Sequence, residues 1–142
     1  MPYLKHTFPY RVVGSSQFVR PFIPLTLKHH EKTVRTLALV DSGADFCMFD
    51  GELASLLGLD VRTLEHITLG GIAGEARGYV AHLQIGVEDA FTPVPVVFSF
   101  DFSPDDFGGL AGQIGFFDTY IVEFDRTIKR ITLSDRRIRV KG

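Results

Sequence analysis

The chain has 142 residues, of which 45% are hydrophobic, and a formal net charge of -2. A length of this order fits one domain that buries roughly two thirds of its unfolded surface, and the composition excludes a disordered chain. The near-neutral charge argues against a dedicated nucleic-acid binder, which would carry a strong basic excess.

Cys47 is the single cysteine, so no internal disulfide staples the fold, which suits a reducing compartment. The N-terminal MPYLKHTFPY holds no apolar core of signal-peptide length. No run approaches the roughly 20 apolar residues of a membrane helix. A cytoplasmic location with no membrane partner is therefore expected.

In chain order, Phe22 to Lys28 and Thr33 to Val40 read as strands joined by the polar turn His29-His30-Glu31-Lys32. The second ends in the unbroken apolar run Leu37-Ala38-Leu39-Val40, which implies burial on both faces. A short helix follows: Asp50 is its expected N-cap, Glu52 favours the first turn, Leu53, Leu56 and Leu57 fall on one face, and Gly58 stops it.

Ile67 to Leu69 and Tyr79 to Ile85 read as strands around the glycine-rich Gly70 to Gly74, taken as a mobile turn. Phe91 to Phe100 is a further strand, and its early prolines suggest a sheet edge. Asp101 to Gly109 reads as a loop. Ile121 to Phe124 and Arg130 to Leu133 form a hairpin, and Arg136 to Lys141 a last, solvated edge strand blunted by its charges, or one that pairs with a partner's tail. The fold class is therefore all-β with one short helix.

The informative segment is Leu39-Val40-Asp41-Ser42-Gly43-Ala44-Asp45. Asp-Ser-Gly alone is an ordinary turn tripeptide. Here, however, the acid ends a buried apolar strand, where a carboxylate is costly unless hydrogen-bonded, paired or functional.

This segment resembles the signature of the retropepsin-like aspartic proteases, an apolar pair followed by Asp-Thr/Ser-Gly-Ala. Gly70-Gly71-Ile72-Ala73-Gly74 is similar to the family's flap tip, with Ala73 in place of a glycine. Leu110-Ala111-Gly112-Gln113 resembles the second apolar-apolar-Gly element, which a short helix and a strand follow. The resemblance runs from Phe22 to Leu133. It implies a closed acid-protease β-barrel and an endopeptidase without metal or cofactor.

The chain carries one such motif, so the resemblance implies a homodimer in which two copies of Asp41 form the catalytic pair over a polypeptide substrate. By the same resemblance Ser42, Gly43 and Ala44 support the active loop. Asp45 binds substrate backbone or is merely a surface acid. Gly70, Gly71, Ile72, Ala73 and Gly74 close over the substrate. Gln113 stands where retroviral members have an arginine, which leaves open how Asp45 is held. The rival readings are a non-catalytic peptide-binding or dimerisation module on the same fold, and a plain structural barrel.

Other residues attract no chemistry. The five histidines show no metal-ligand spacing with Cys or carboxylates, and His29-His30 reads as a solvated turn. Cys47 reads as a small buried hydrophobe, and Gly70-Gly71 lacks the Gly-Lys-Ser/Thr of a phosphate loop. The thirteen phenylalanines are expected mostly in the core, with Phe98, Phe100, Phe102, Phe107, Phe116 and Phe117 as candidates for apolar pockets or a dimer contact.

Overall fold

The computed structural model describes residues 1–71, 74–102 and 107–141. Its strands are β1 (Tyr3–Pro9), β2 (Phe22–His29), β3 (Lys32–Val40), β4 (Cys47–Asp50), β5 (Glu65–Gly71), β6 (Gly74–Val87), β7 (Ala90–Ser99), β8 (Gly109–Ala111), β9 (Tyr120–Asp125) and β10 (Arg130–Arg139). Two short helices, α1 (Glu52–Leu56) and α2 (Phe116–Thr119), complete it.

Strands β2-β3-β8-β4-β7-β6 hydrogen-bond in that order, and β6 pairs back onto β2 through Thr26↔Gly86 to Lys28↔Gln84. The ring is closed, so the barrel has no free edge of its own. β5 extends it as a long hairpin with β6, ending at the pair Gly71↔Gly74. The barrel is filled by Ile23, Leu25, Leu27, Ala38, Val40, Phe49, Ile85, Val96 and Phe98. Alternation explains β2, where Ile23, Leu25 and Leu27 are buried and Pro24 and Thr26 only half-buried.

A second sheet, β1-β10-β9, lies outside the ring. Phe8, Ile131, Leu133 and Tyr120 join it to the barrel core. His6 anchors it further, since the carboxylate of Glu88 accepts a hydrogen bond from its Nδ1 at 3.0 Å. Strand β1 is not among the elements expected from the sequence, although Leu4, His6 and Phe8 alternate with Lys5 and Thr7.

Three expectations need correction. Strand β7 is an edge only along its first part: Ala90 to Pro95 pair with β6 alone, and from Val96 on it lies between β4 and β6. Its prolines fit because Pro93 and Pro95 precede Val96, where β4 begins to pair, so their missing N–H groups interrupt no β4 ladder. Residues 136–139 are no separate edge strand either, for β10 runs unbroken to Arg139, which pairs with Tyr3 of the same chain. The edges of this sheet are β1 and β9 instead, with β10 between them. Finally, Gly51 and not Asp50 is the N-cap of α1, though the Asp50 carboxylate still accepts from the Glu52 N–H at 3.0 Å. Gly58 terminates this region at a φ of 75°, the left-handed conformation that glycine adopts without a Cβ penalty.

Among the described residues, no helix is long and apolar enough to cross a membrane.

Candidate active site

Strands β3 and β8 run parallel and adjacent, with Val40 beside Ala111. Two chain segments therefore leave the barrel at the same point, 41–45 after β3 and 112–114 after β8. The Asp41 N–H donates to the Ala111 carbonyl at 3.0 Å. Gln113 N–H donates to the Ala44 carbonyl and Ile114 N–H to the Asp45 carbonyl, each at 2.8 Å. The two segments thus brace one another through main-chain bonds, which do not depend on side-chain identity.

Within the first segment, the Ala44 N–H closes a turn onto the Asp41 carbonyl at 3.2 Å, and the Gly43 N–H donates to Asp41 Oδ1 at 2.9 Å. A side chain at position 43 would place its Cβ 3.2 Å from that carboxylate oxygen, so glycine makes room for the bond. Asp41 is half-buried, and Ser42, Gly43 and Asp45 are exposed. Its carboxylate is oriented by the loop yet reachable from solvent, and Oδ2 has no hydrogen-bond partner among the described residues.

Gly112 answers to space. A Cβ there would run into the backbone carbonyls of Phe46 and Ala44. The apolar-apolar-Gly pattern therefore has a packing reason here: Leu110 and Ala111 form the strand and Gly112 lets the two loops touch.

Gln113 is the residue whose role the sequence did not reveal. Its carboxamide Nε2 donates to the Ser42 carbonyl at 2.8 Å, tying the tip of the Asp41 loop to the facing segment. The signal lay in its place next to Gly112, but a glutamine carries no chemistry that points to a loop clamp. Gln113→Leu is expected to cost about 1 kcal/mol of stability, the ordinary net worth of one hydrogen bond. If Asp41 is catalytic, it should also lower kcat about tenfold with little change in KM, since a loosened reactive group loses alignment and not binding area. Thermal unfolding and steady-state kinetics on one preparation check both.

The remaining predicted site residues lie apart. Gly70, Gly71 and Gly74 sit at the end of the β5–β6 hairpin, while Ile72 and Ala73 fall outside the described residues. No hydrogen bond joins that end to the Asp41 loop among the described residues. Cys47 is buried at the start of β4, its thiol 3.6 Å from the Ile114 carbonyl. Burial pushes this thiol up, outweighing the backbone hydrogen bonds that act in the other direction, so it is a packing group. Among the described residues no cluster of three or more His, Cys, Asp or Glu is arranged to hold a metal ion.

The structure of a retropepsin-like aspartic protease from Rickettsia conorii superposes with a TM-score of 0.65, covering 91% of this chain and 98% of that one at 17% identity. This chain has the retropepsin-like fold. The EIAV protease in complex with the inhibitor HBY-793 also superposes, with a TM-score of 0.53 over 72% of this chain and 88% of its own, at 16% identity. No protein-family model and no curated protein sequence matches the chain. In this retropepsin-like barrel the Asp41 loop emerges where β3 and β8 part.

Proposed function

We propose that the protein is an aspartic endopeptidase that acts as a homodimer, with Asp41 of each copy forming the catalytic pair. The observation that carries this reading is the Asp41 loop itself. A carboxylate ends a core strand, is oriented by the Gly43 amide, is braced by the 112–114 segment and remains open to solvent. One such loop is present per chain, and hydrolysis by this chemistry needs two acids.

Two carboxylates about 3 Å apart cannot both ionise, so they share one proton; the aspartic proteases are the type case. The ionised member takes a proton from water as the water oxygen attacks the peptide carbonyl carbon. The protonated member gives its proton to the carbonyl oxygen. The tetrahedral diol then collapses, and the nitrogen leaves with a proton returned through the pair. In this reading Ser42, Gly43 and Ala44 hold the loops at the two-fold axis and Asp45 meets substrate backbone. The β5–β6 hairpin, with Gly70 to Gly74 at its end, covers the extended polypeptide and excludes water.

The partner surface in this reading includes β9. It is one of the two edges of the β1-β10-β9 sheet, and unlike β1 it follows α2 directly from the segment that braces Asp41. Ile121 and Phe124 on it are 40% and 42% exposed. An antiparallel copy of the same edge, related by a two-fold axis, would satisfy the unpaired backbone groups and cover these side chains. The paired change Ile121→Glu and Phe124→Glu should raise the dimer dissociation constant at least about tenfold and leave the unfolding transition of the monomer in place. Sedimentation velocity with parallel circular dichroism measures both.

The function is tested by incubating the protein with denatured casein between about pH 4 and pH 7, over a dilution series. Cleavage whose specific rate falls with dilution is the expected result. A stable dimer without cleavage at any pH would instead favour the peptide-binding module.

A further inference from the structure

Where the β5–β6 hairpin leaves the barrel, two side chains take the place of a strand. β6 and β7 pair from Val87↔Ala90 to Tyr79↔Phe98, and β7 ends at Ser99. The Ser99 carbonyl accepts from the Gly51 N–H at 2.9 Å, so Ser99 faces β4, and it is Phe98 whose main-chain groups face β6. Tyr79 and, two residues on, Arg77 therefore turn their N–H and C=O toward β7 and away from β5. The same register, continued, would set Arg77 opposite Phe100. The chain bends there instead. The Phe100 ring lies across Gly51, where a Cβ would stand 2.8 Å from three of its carbons, and it meets Tyr79 edge-on.

Both main-chain groups of Arg77 still find partners. The Ser99 hydroxyl donates to the Arg77 carbonyl at 2.8 Å, in place of a Phe100 N–H. Asp101 Oδ2 accepts from the Arg77 N–H at 2.9 Å, in place of a Phe100 carbonyl. The Asp101 N–H donates to Ser99 Oγ at 3.2 Å, so the two residues hold each other. Ser99 is fully buried, and Gly78 permits the close approach, since a Cβ there would run into Val97. From Ala76 to Gly74, β6 pairs only with β5, the last strand of the sheet. These bonds are thus the outermost hydrogen-bonded tie between hairpin and barrel among the described residues. Arg77 and Asp101 are exposed, so water competes for the tie and it can be released.

We propose that Ser99 and Asp101 form a releasable clasp, the pivot from which the β5–β6 hairpin covers a bound polypeptide. They are positioning residues and touch no reacting atom. The role over substrate rests on the endopeptidase reading above; the clasp itself does not.

Hydrogen exchange of the full chain, followed by NMR, tests the clasp without any turnover. Ser99→Ala is the decisive variant, because it leaves the acceptor of the Arg77 N–H in place. The Arg77 amide should exchange at least about fivefold faster in Ser99→Ala and in Asp101→Ala. The Ala81 amide, bonded to the β7 backbone, should keep its wild-type rate. Asp101→Asn, whose Oδ1 can still accept, should stay near wild type. Steady-state kinetics on denatured casein tests the pivot. The two alanine variants should raise KM about fivefold with kcat within about twofold, since binding must then also order the hairpin, and Asp101→Asn should restore KM. Unchanged Arg77 exchange in Ser99→Ala overturns the clasp. Faster exchange with an unchanged KM overturns the pivot. A wild-type protein that cleaves nothing defeats the endopeptidase reading and the pivot with it, and the exchange rates alone then decide the clasp.

Discussion

Asp41→Asn is expected to lower kcat/KM toward denatured casein by about 10⁴-fold or more, because in a homodimer the one substitution removes both members of the acid pair. Thermal stability should hardly change. An asparagine Oδ1 still accepts the Gly43 N–H, and the main-chain bonds of Asp41 to Ala111 and Ala44 do not involve its side chain. Mixing supplies a sharper test than loss alone. If wild-type and Asp41→Asn chains exchange freely in equal amounts, about half of the wild-type chains end up in mixed dimers. Those dimers have one carboxylate and no proton-sharing partner, so activity per wild-type chain should fall to about half. Activity that stays constant per wild-type chain would show that each copy works alone, and the paired-acid mechanism would be lost.

Arg137→Leu has the largest expected effect on stability. Asp135 on β10 is fully buried. The Arg137 guanidinium grips it from Nε at 3.0 Å and Nη2 at 2.9 Å, and the Arg137 N–H adds a third bond at 2.9 Å. Burial alone would push the Asp135 carboxyl up, but the guanidinium and amide bonds outweigh it and hold the group below its ordinary value. The same guanidinium donates to the Phe91 carbonyl at 3.0 Å, linking the outer sheet to β7. Tyr120 packs close by, its phenol pushed up to about 12 by burial and by the Asp135 charge.

Removing the guanidinium leaves a buried carboxylate with one amide donor. The expected cost is about 3 kcal/mol, the low end for breaking a buried pair, because the arginine side chain is itself 37% exposed. The pH dependence gives the mechanism away. In the wild type the folded-state value lies below the unfolded one. Its contribution is therefore present above about pH 4 and is lost as pH falls through the folded value. In Arg137→Leu burial dominates and the carboxyl titrates above its unfolded value, so the variant should gain relative stability as pH falls from about 6 to 4. Urea unfolding across that range reads the sign of the slope directly.

Much of this architecture was legible in the chain. The run Leu37 to Val40 announced a strand, and it is one of the closed ring, but burial on both faces was not met: Ala38 and Val40 are buried inward while Leu37 and Leu39 on the other face are only half-buried. The hairpin across Asp125 to Lys129 and the stop at Gly58 followed from turn chemistry. The edge assignments failed, wholly for β10 and in part for β7, for one reason. Whether a strand is an edge depends on which distant strand lies beside it, and neither the prolines of β7 nor the charges of β10 encode that neighbour. β1 escaped notice because Leu4, His6 and Phe8 alternate over too short a span to stand out until β10 lies beside it.

The local pattern of residues thus determined the element types, the presence of a single Asp-Ser-Gly-Ala loop and the glycine needed at its foot, since these rest on periodicity and side-chain size along neighbouring positions. Only the tertiary structure decided that Ala111 would carry the Asp41 amide, that Gln113 would clamp Ser42 and that β9 would lie at an edge of the outer sheet. Those are contacts between segments far apart in the chain, fixed when the core of the barrel closes, and no short-range pattern specifies them.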